Sequence, residues 1–427
     1  MLAIEELYQH FQKSTGICTD TRNIKQGNLF FALKGPNFNG NLFAQQAIAQ
    51  GCYMAVIDEN NNNQNKEHYF EVEDTLKALQ LLANYHRKVL GLPIIGITGS
   101  NGKTTTKELI YQVLTQKYKT YATKGNLNNH IGVPLSLLEL TKEEEIAVIE
   151  MGANKKGDIK ELCEIAEPTY GMITNIGKAH LEGFGSLEGV KQTKGELYDF
   201  IATQGKEILV NKNENTLVEM SEKVAQKSFY GDAFPLVELT PFIVFESHNK
   251  EKINTKLIGA YNHQNILSAL AVANFFKIDT NKAVKAIADY TPSNNRSQII
   301  QKGNTTIILD AYNANPSSMS SALLSFEKLN KDKKLMLLGE MLEIGEESEQ
   351  EHHNLLEKAT AINPSDILVI GKEFIPLKNS FPNVKFFDEK TSLKEYLKET
   401  TFDVDVILIK GSRGNKLEEI VDCFYSR

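Results

Sequence analysis

A glycine-rich segment that ends in lysine and threonine has the residue types needed to hold a phosphate group. It reads Gly96-Ile97-Thr98-Gly99-Ser100-Asn101-Gly102-Lys103-Thr104-Thr105 and connects a strand predicted over Ile94–Thr98 to a helix predicted over Lys103–Leu114. Glycines let backbone N–H groups close around phosphate oxygens, and the helix N-terminus adds partial positive charge. In this context Lys103 is predicted to reach the outer phosphates and Thr104 to place its hydroxyl on Mg²⁺. A chance Gly-Lys-Thr at a turn is the less favoured alternative.

Two polar side chains follow predicted buried strands. Glu150 ends the apolar run Ile146–Ile149, and His180 comes after the strand predicted over 171–174, on a loop of small residues. Ligands of open parallel sheets bind beyond the carboxyl ends of the strands. Because Mg²⁺ is a hard cation that prefers oxygen, Glu150 is interpreted as a Mg²⁺ ligand rather than a capping or surface residue. His180 is a second candidate metal ligand because of its position beside Glu150.

For five other residues the residue type alone does not assign a functional role. Lys194 fits a surface lysine. Asn262 and Asn265 open a predicted helix and either read a nucleotide base or cap the helix, with capping favoured for Asn262. Arg296 holds either a phosphate or a surface carboxylate, and Asp310 ends another buried strand. The pair His352-His353 is predicted to lie on a solvated face of an acidic helix.

Composition excludes several functional classes. The chain has 427 residues, enough for three domains of about 150 residues. Its net charge of −7 and the absence of a basic block argue against nucleic acid as a partner. Its four cysteines form no C-x-x-C pair, which indicates reduced thiols of a cytoplasmic protein rather than zinc ligands or disulfides. The sequence contains no apolar run that could span a bilayer, so no membrane insertion is expected.

Strands and helices are predicted to alternate in three regions. Residues 1–88 predict a small α/β domain that includes an exposed polar loop over Asn60–Asn65. Residues 89–291 predict a mostly parallel sheet covered by helices on both faces. Residues 292–427 predict a second, smaller doubly wound domain that ends in a helix over Lys416–Phe424. A crevice between two such domains suits an enzyme that closes on its substrates.

The motifs, taken in order, resemble those of the Mur ligase family of peptidoglycan synthesis, and the resemblance spans nearly the whole chain. Besides the glycine-rich loop they are Thr19-Asp20-Thr21-Arg22, Gly125-Asn126-Leu127-Asn128-Asn129-His130-Ile131-Gly132-Val133-Pro134, Glu150-Met151-Gly152, Thr174-Asn175-Ile176-Gly177-Lys178-Ala179-His180-Leu181-Glu182, Tyr312-Asn313-Ala314-Asn315-Pro316 and Lys410-Gly411-Ser412-Arg413. The resemblance implies an N-terminal domain for a UDP-sugar substrate, a central P-loop ATPase domain, and a Rossmann-like C-terminal domain for an amine substrate.

The resemblance also implies a reaction. ATP would phosphorylate the carboxylate of UDP-N-acetylmuramoyl-tripeptide to an acyl phosphate, the amine of D-alanyl-D-alanine would attack, and phosphate would leave. The segments 125–134 and 310–316 favour this branch over the sibling that adds the third amino acid, which stays an alternative. A GTP-binding switch is a second alternative, since Asn211-Lys212-Asn213-Glu214 resembles N-K-x-D. A non-catalytic homologue is a third. The chain is expected to act as a monomer.

Site roles also follow from the resemblance, position by position. Thr104 and Glu150 would hold one Mg²⁺ and His180 a second. Lys194 would be carbamylated and so become a metal-binding anion, which reverses the surface interpretation above. The nucleotide would be contacted by the loop Gly99–Thr105, Asn262, Asn265, Arg296 on phosphate and Asp310 on the ribose. Contacts to the other substrates would come from Thr21, Arg22, Asn126, Asn128, Asn129, Tyr312 and Asn313.

Overall fold

The protein is described here by a computed structural model that covers residues 2–59, 66–239, 242–292 and 295–425. The loop predicted over Asn60–Asn65 lies outside the described residues. The N-terminal domain contains a four-stranded parallel sheet, flanked by three helices. Its strands, in sheet order, are Ile17–Cys18, Leu29–Phe31, Met54–Ile57 and Tyr69–Glu71, its helices are Leu2–Lys13, Ala44–Ala49 and Thr75–Leu90, and a short ribbon pairs Lys34–Gly35 with Phe38–Asn39.

The helix Thr75–Leu90 joins the N-terminal domain to the central one. Its start is capped by Asp74, which accepts from the Lys77 N–H, and it stops at Gly91 with a left-handed backbone. Leu79 on its apolar face packs in one cluster with Leu137 of the central domain. The two domains therefore share a hydrophobic core.

The central domain is a six-stranded parallel sheet with helices on both faces, as predicted. In sheet order its strands are Gln226–Tyr230, Glu207–Asn211, Tyr170–Ile173, Ile94–Thr98, Ile146–Glu150 and Thr120–Ala122. Its helices are Lys103–Leu114, Gly132–Leu138, Asp158–Ala166, Leu181–Phe184, Leu187–Thr203, Asn215–Met220, Ala260–Phe275 and Thr280–Asp289. Successive residues of a strand point to opposite faces: Ala147 and Ile149 face one hydrophobic core, and Ile146 and Val148 face the other.

The C-terminal domain is a second open sheet with helices packed on it. In sheet order its strands are Gln298–Lys302, Thr305–Asp310, Val406–Lys410, Lys334–Gly339, Asp366–Ile370 and Lys385–Phe387, and its α-helices are Pro316–Glu327, Ser348–Ala361 and Lys390–Glu399. All neighbours are parallel except the first pair, which is antiparallel. The three-domain α/β fold class is thus confirmed.

Several local expectations were incomplete or wrong. The edge strand Gln298–Lys302 and a small antiparallel sheet of Leu236–Glu238, Val244–Glu246 and Lys252–Asn254 were not predicted. The C-terminal segment Leu417–Tyr425 is 3-10 rather than α-helical. Among the described residues, no helix combines the length and the apolar character needed to cross a membrane.

The prediction of a solvated His352 is wrong. Its side chain is fully buried and lies against Phe374, with the two ring centres 4.7 Å apart. The reason is helical spacing: Leu355, Leu356 and Ala359 follow His352 on the same buried stripe of the helix.

Candidate active site

A cleft of about 1230 Å³ separates the central and C-terminal domains and gathers most of the predicted site residues. Those that line it are Ser100, Asn101, Gly102, Lys103, Thr104, Thr105, Asn126, Asn128, Asn129, Glu150, His180, Asn265, Arg296, Asp310, Tyr312 and Asn313. Gly99, Lys194 and Asn262 are not part of its lining. Thr21 and Arg22 lie on a 3-10 turn of the N-terminal domain, also outside the cleft, where Arg22 is exposed and pairs with Asp20.

The glycine-rich loop has a backbone that only glycine tolerates at two positions. Gly99 has φ +144° and Gly102 has φ +79°, and a Cβ on Gly99 would stand 2.0 Å from the Thr174 hydroxyl. The loop also contacts the segment that follows the neighbouring strand Tyr170–Ile173. There the Asn101 N–H donates to the Asn175 side-chain oxygen at 3.0 Å. Because the helix starts at Lys103, its first amides have no intrahelical acceptor, and its first three residues line the cleft at the positive end of the helix dipole. This geometry suits an anion.

Lys103 folds back over its own loop. Its Nζ donates to the carbonyl oxygens of Gly99 at 2.7 Å and Ser100 at 3.3 Å. Desolvation in the cleft lowers the pKa of Lys103 below its ordinary value, and the nearby Glu150 opposes this effect. Both of these acceptors are neutral carbonyl oxygens. A bound phosphate would give the Lys103 ammonium an anionic acceptor.

Glu150 presents oxygen donors suited to a hard cation. It is 1% exposed, and its Oε1 accepts from the Thr104 hydroxyl at 3.1 Å and from the Asn128 amide at 2.8 Å. Its buried Oε2 has no hydrogen-bond partner among the described residues. A buried carboxylate oxygen without a hydrogen bond is costly unless an ion lies beside it. No group of three or more His, Cys, Asp or Glu side chains among the described residues is arranged to hold a metal ion.

Lys107 is a site residue that the sequence analysis missed. It lies one helical turn after Lys103, is 3% exposed, and its Nζ donates to the Thr123 carbonyl at 2.6 Å. The same ammonium lies 3.8 Å from Glu150 Oε2. The only available signal was the i, i+4 spacing of two lysines on the first turns of the helix. Lys107 thus supplies positive charge behind the buried carboxylate.

Replacing this lysine tests its role. We expect Lys107→Met to lower the free energy of unfolding by about 3 kcal/mol, because removal of one member of a buried pair leaves the other uncompensated. Urea unfolding followed by circular dichroism measures the change. Lys285→Met, at an exposed lysine of a neighbouring helix, is the matched control and should change stability by less than about 0.5 kcal/mol. Equal stability of the two variants would contradict this role.

The side chains of His180 and Lys194 both lie near the ring of Phe184. The Phe184 ring centre lies 6.2 Å from that of His180 and 5.1 Å from Lys194 Nζ. His180 pairs through Nδ1 with the carboxylate of Glu343 from the C-terminal domain, and this contact holds the pKa of Glu343 below its ordinary value. His180 therefore keeps its second ring nitrogen, Nε2, for another ligand.

The surface interpretation of Lys194 is wrong. The side chain is 1% exposed because Val190, Lys194, Leu197 and Ile201 recur on the buried face of one helix. Burial lowers the pKa of Lys194 well below its ordinary value, and the charge of Lys103 adds to this effect. A lower pKa increases the fraction of neutral amine, which is the nucleophilic form that carbamylation requires.

Asn262 and Asn265 form a chain of amides beneath the loop. The helix begins at Ala260 after Gly259, so Asn262 is not its N-cap, and the capping interpretation is wrong. Asn262 instead donates to the Ile258 carbonyl at 2.8 Å and accepts from Asn265 at 2.7 Å. Asn265 in turn accepts from the Thr106 hydroxyl at 3.0 Å. Asn265 lines the cleft, and Asn262 orients it.

The far wall of the cleft is built from the junction of the two domains. The Arg296 guanidinium stacks 3.6 Å above the Tyr312 ring, and its buried Nε is unpartnered among the described residues. The carboxylate of Asp310 accepts from Lys410 Nζ at 2.6 Å, and the same ammonium donates to the Asn313 carbonyl at 3.2 Å. This wall therefore offers a cation on an aromatic face beside a fixed carboxylate.

The C-terminal domain also contacts the glycine-rich loop directly. The side-chain amide of Asn315 donates to the Asn101 side-chain oxygen at 2.9 Å. Asn315 caps the helix Pro316–Glu327 by a reciprocal capping box with Ser318. The loop and the second domain are thus joined across the cleft.

Comparison with known proteins agrees with this geometry. Three family models match in order: "Mur ligase family, catalytic domain" over residues 13–87, "Mur ligase middle domain" over 97–273, and "Mur ligase, glutamate ligase domain" over 295–413. A relative from Bacillus subtilis (strain 168), named UDP-N-acetylmuramoyl-tripeptide--D-alanyl-D-alanine ligase, is 37% identical and covers 95% of this chain and 92% of its own length. The chain belongs to the Mur ligase family.

Solved structures of Mur ligases share the whole architecture. The structure of MurF from Acinetobacter baumannii superposes with a TM-score of 0.87 at 29% identity, covering 99% of this chain and 98% of that one. The structure of MurF ligase from Thermotoga maritima in complex with ADP gives a TM-score of 0.84 at 26% identity and covers 97% of each chain. The predicted membership of the Mur ligase family is therefore confirmed.

The segment that suggested a GTP-binding switch has a local structural role in this Mur ligase. The Asn211 carbonyl accepts from the Glu214 N–H at 3.2 Å, and the Asn211 side chain accepts from the Asn213 N–H at 3.0 Å. These contacts form a polar turn directly after the strand Glu207–Asn211. The turn explains the residue pattern without a guanine base.

Proposed function

We propose that this Mur ligase uses ATP to join D-alanyl-D-alanine to the carboxylate of UDP-N-acetylmuramoyl-tripeptide, forming the UDP-N-acetylmuramoyl-pentapeptide precursor of peptidoglycan, ADP and phosphate. The observation that carries the proposal is the cleft in which the phosphate loop, the buried Glu150 and the C-terminal domain meet. The substrates are those in the name of the relative that is 37% identical over 95% of this chain. The enzyme would act in the cytoplasm, as a monomer.

The reaction would proceed through an acyl phosphate. A carboxylate is a poor electrophile, so one of its oxygens first attacks the γ-phosphorus of ATP, and ADP leaves. The amine of D-alanyl-D-alanine then attacks the acyl carbon, and phosphate leaves with the oxygen that bridged carbon and phosphorus. Lys103 would bind the outer phosphates and stabilise the charge that develops during phosphoryl transfer. Bound Mg²⁺ would neutralise part of the same charge.

The cation ligands divide into two groups. Thr104 and Glu150 would hold one Mg²⁺ through oxygen, since Glu150 Oε2 has no hydrogen bond to any described residue. His180 would serve a second ion, with a carbamylated Lys194 nearby. The contact of both residues with the Phe184 ring supports this pairing.

Substrate contacts are proposed from position in the fold. Residues 1–88 would bind the UDP-sugar, residues 89–291 ATP, and residues 292–427 the amine. On the cleft walls, Asn265 and Asp310 would contact the nucleoside and Arg296 a phosphate, with Asn262 holding Asn265 in place. The remaining contacts would come from Thr21 and Arg22 in the N-terminal domain, from Asn126, Asn128 and Asn129 on the loop before Gly132, and from Tyr312 and Asn313 beside the amine.

Phosphate release with different amines tests the assignment. We expect purified enzyme with ATP, Mg²⁺ and UDP-linked tripeptide to release phosphate when D-alanyl-D-alanine is added and not when a diamino acid is added. Enzyme without any amine is the background control. Release that depends on a diamino acid, with UDP-linked dipeptide as the acceptor, would instead identify the sibling ligase. Absence of release with either amine would contradict the proposal.

A further inference from the structure

A loop of the C-terminal domain reaches across the cleft to the segment that carries His180. It follows the strand Lys334–Gly339, and its Glu343 carboxylate pairs with His180 Nδ1. The backbone N–H of Glu182 donates to the Glu343 carbonyl at 3.3 Å. Glu343 therefore contacts the His180 segment through both its side chain and its backbone.

The backbone at this contact is held in an uncommon conformation on both sides. His180 has φ +51° and Glu343 has φ +63°. A non-glycine residue in the left-handed region costs about 1 kcal/mol or more, and such residues persist where the surrounding structure holds them. Two of them that face each other across a domain boundary point to a functional contact.

A buried histidine braces the loop that presents Glu343. His352 Nε2 accepts from the Met341 N–H at 3.0 Å, and its Nδ1 donates to the Ser348 carbonyl at 2.7 Å. These two bonds fix the tautomer of the ring. The loop position of Glu343 is thus set by the core of the C-terminal domain.

We propose that Glu343 is a positioning residue for His180, and that their contact couples closure of the C-terminal domain to completion of the second cation site. The inference rests on the proposed function, in which His180 binds a divalent cation. A carboxylate accepts but does not donate, so in the neutral ring Nδ1 carries the proton and Nε2 keeps the lone pair that would bind the ion. A carboxylate behind a metal-binding histidine fixes the ring and makes it a stronger ligand.

The two cation sites would then respond differently to domain motion. Lys103, Thr104 and Glu150 all belong to the central domain, so the outer phosphates and the first cation keep these three ligands when the cleft opens. Glu343 moves with the C-terminal domain, so His180 loses its orienting partner on opening. Tight binding of the second ion would therefore require the closed cleft, in which the amine substrate also lies against the C-terminal wall.

Binding of Mn²⁺, used as a probe, tests this coupling. The full-length chain would be titrated with Mn²⁺ in the presence of a non-hydrolysable ATP analogue, with bound ion measured by electron paramagnetic resonance. We expect Glu343→Ala to weaken the second ion by about 10-fold or more, with the first ion and the analogue unaffected. The affinity of Glu343→Gln for the second ion should lie between those of the unmodified enzyme and Glu343→Ala, because the glutamine amide oxygen still accepts from His180 Nδ1. Glu346→Gln, at an exposed glutamate of the same loop, is the matched control.

Three results would overturn the inference: one Mn²⁺ only in the unmodified enzyme, an unchanged second ion in a folded Glu343→Ala variant, or equal loss of both ions and the analogue. The last result would indicate general damage to the cleft. If amine-dependent phosphate release occurs but the second ion is unaffected by Glu343→Ala, the inference fails and the proposed function stands. If the second ion weakens as expected but no phosphate is released with either amine, the proposed function fails alone.

Discussion

Lys103→Ala is expected to reduce kcat for ligation on the order of 10³-fold, since in the proposed function its ammonium stabilises the charge of the transferring phosphoryl. The structure shows why no neighbour replaces it. Lys107 is committed to the Thr123 carbonyl and Glu150, and Lys410 to Asp310 and Asn313. The measurement is ADP formation in the presence of both substrates at saturating ATP.

The control for this variant must separate chemistry from folding. Among the described residues, Lys103 donates hydrogen bonds only to carbonyl oxygens of its own loop, so its loss should leave the circular dichroism spectrum unchanged. Lys117→Ala, at a lysine outside the cleft lining that bonds to the carbonyls of Phe276 and Lys277, should retain ordinary turnover. Near-normal turnover by a folded Lys103→Ala enzyme would refute the assignment of the phosphate loop.

Lys194→Met is expected to have opposite effects on activity and stability. If carbamylated Lys194 holds the second cation, the variant should lose ligation, and bicarbonate should stimulate the unmodified enzyme but not the variant. In buffer depleted of carbon dioxide the variant should be more stable by about 1–2 kcal/mol, because an apolar side chain replaces a buried ionisable group. Ligation assays with added bicarbonate and urea unfolding measure the two effects.

The stability advantage of Lys194→Met over the unmodified enzyme should decrease as pH rises. Burial lowers the pKa of Lys194 in the folded state, whereas the unfolded chain binds a proton at ordinary lysine pKa. Folding therefore releases a proton between these two pKa values, and the cost of burying the lysine falls as pH rises through that window. The advantage of Lys194→Met should shrink accordingly.

A matched control lies on the same helix. Lys191→Met removes a half-exposed lysine whose partner is Glu219, and it should change neither ligation nor the pH dependence of stability. Full ligation by Lys194→Met, without a response to bicarbonate in either protein, would reject the carbamylated lysine.

The features that were predictable from sequence are those encoded over short stretches. The strand Ile94–Thr98, the helix Lys103–Leu114 and the strand Ile146–Glu150 match the prediction at both ends, because each has a clear apolar period and a glycine or charged residue at its end. Lys103, Thr104 and Glu150 follow directly from these elements.

The residues that sequence reasoning missed or misplaced depend on tertiary packing. Lys107 matters because its helix packs beside the strand that ends at Glu150, and Glu343 because a loop from another domain crosses the cleft. Lys194 and His352 resemble surface residues by type, yet each falls on the buried stripe of its helix. Residue type alone does not distinguish a buried lysine from an exposed one; the available signal was the spacing of the apolar residues on the same helix.

Isotope transfer from the acceptor carboxylate tests the central claim most directly. UDP-linked tripeptide would be labelled with oxygen-18 in the carboxylate that reacts, and the phosphate released with D-alanyl-D-alanine would be examined by mass spectrometry. Activation through an acyl phosphate predicts that one labelled oxygen appears in each phosphate, with the other retained in the new amide. Unlabelled phosphate, formed while the amide product accumulates, would contradict the account.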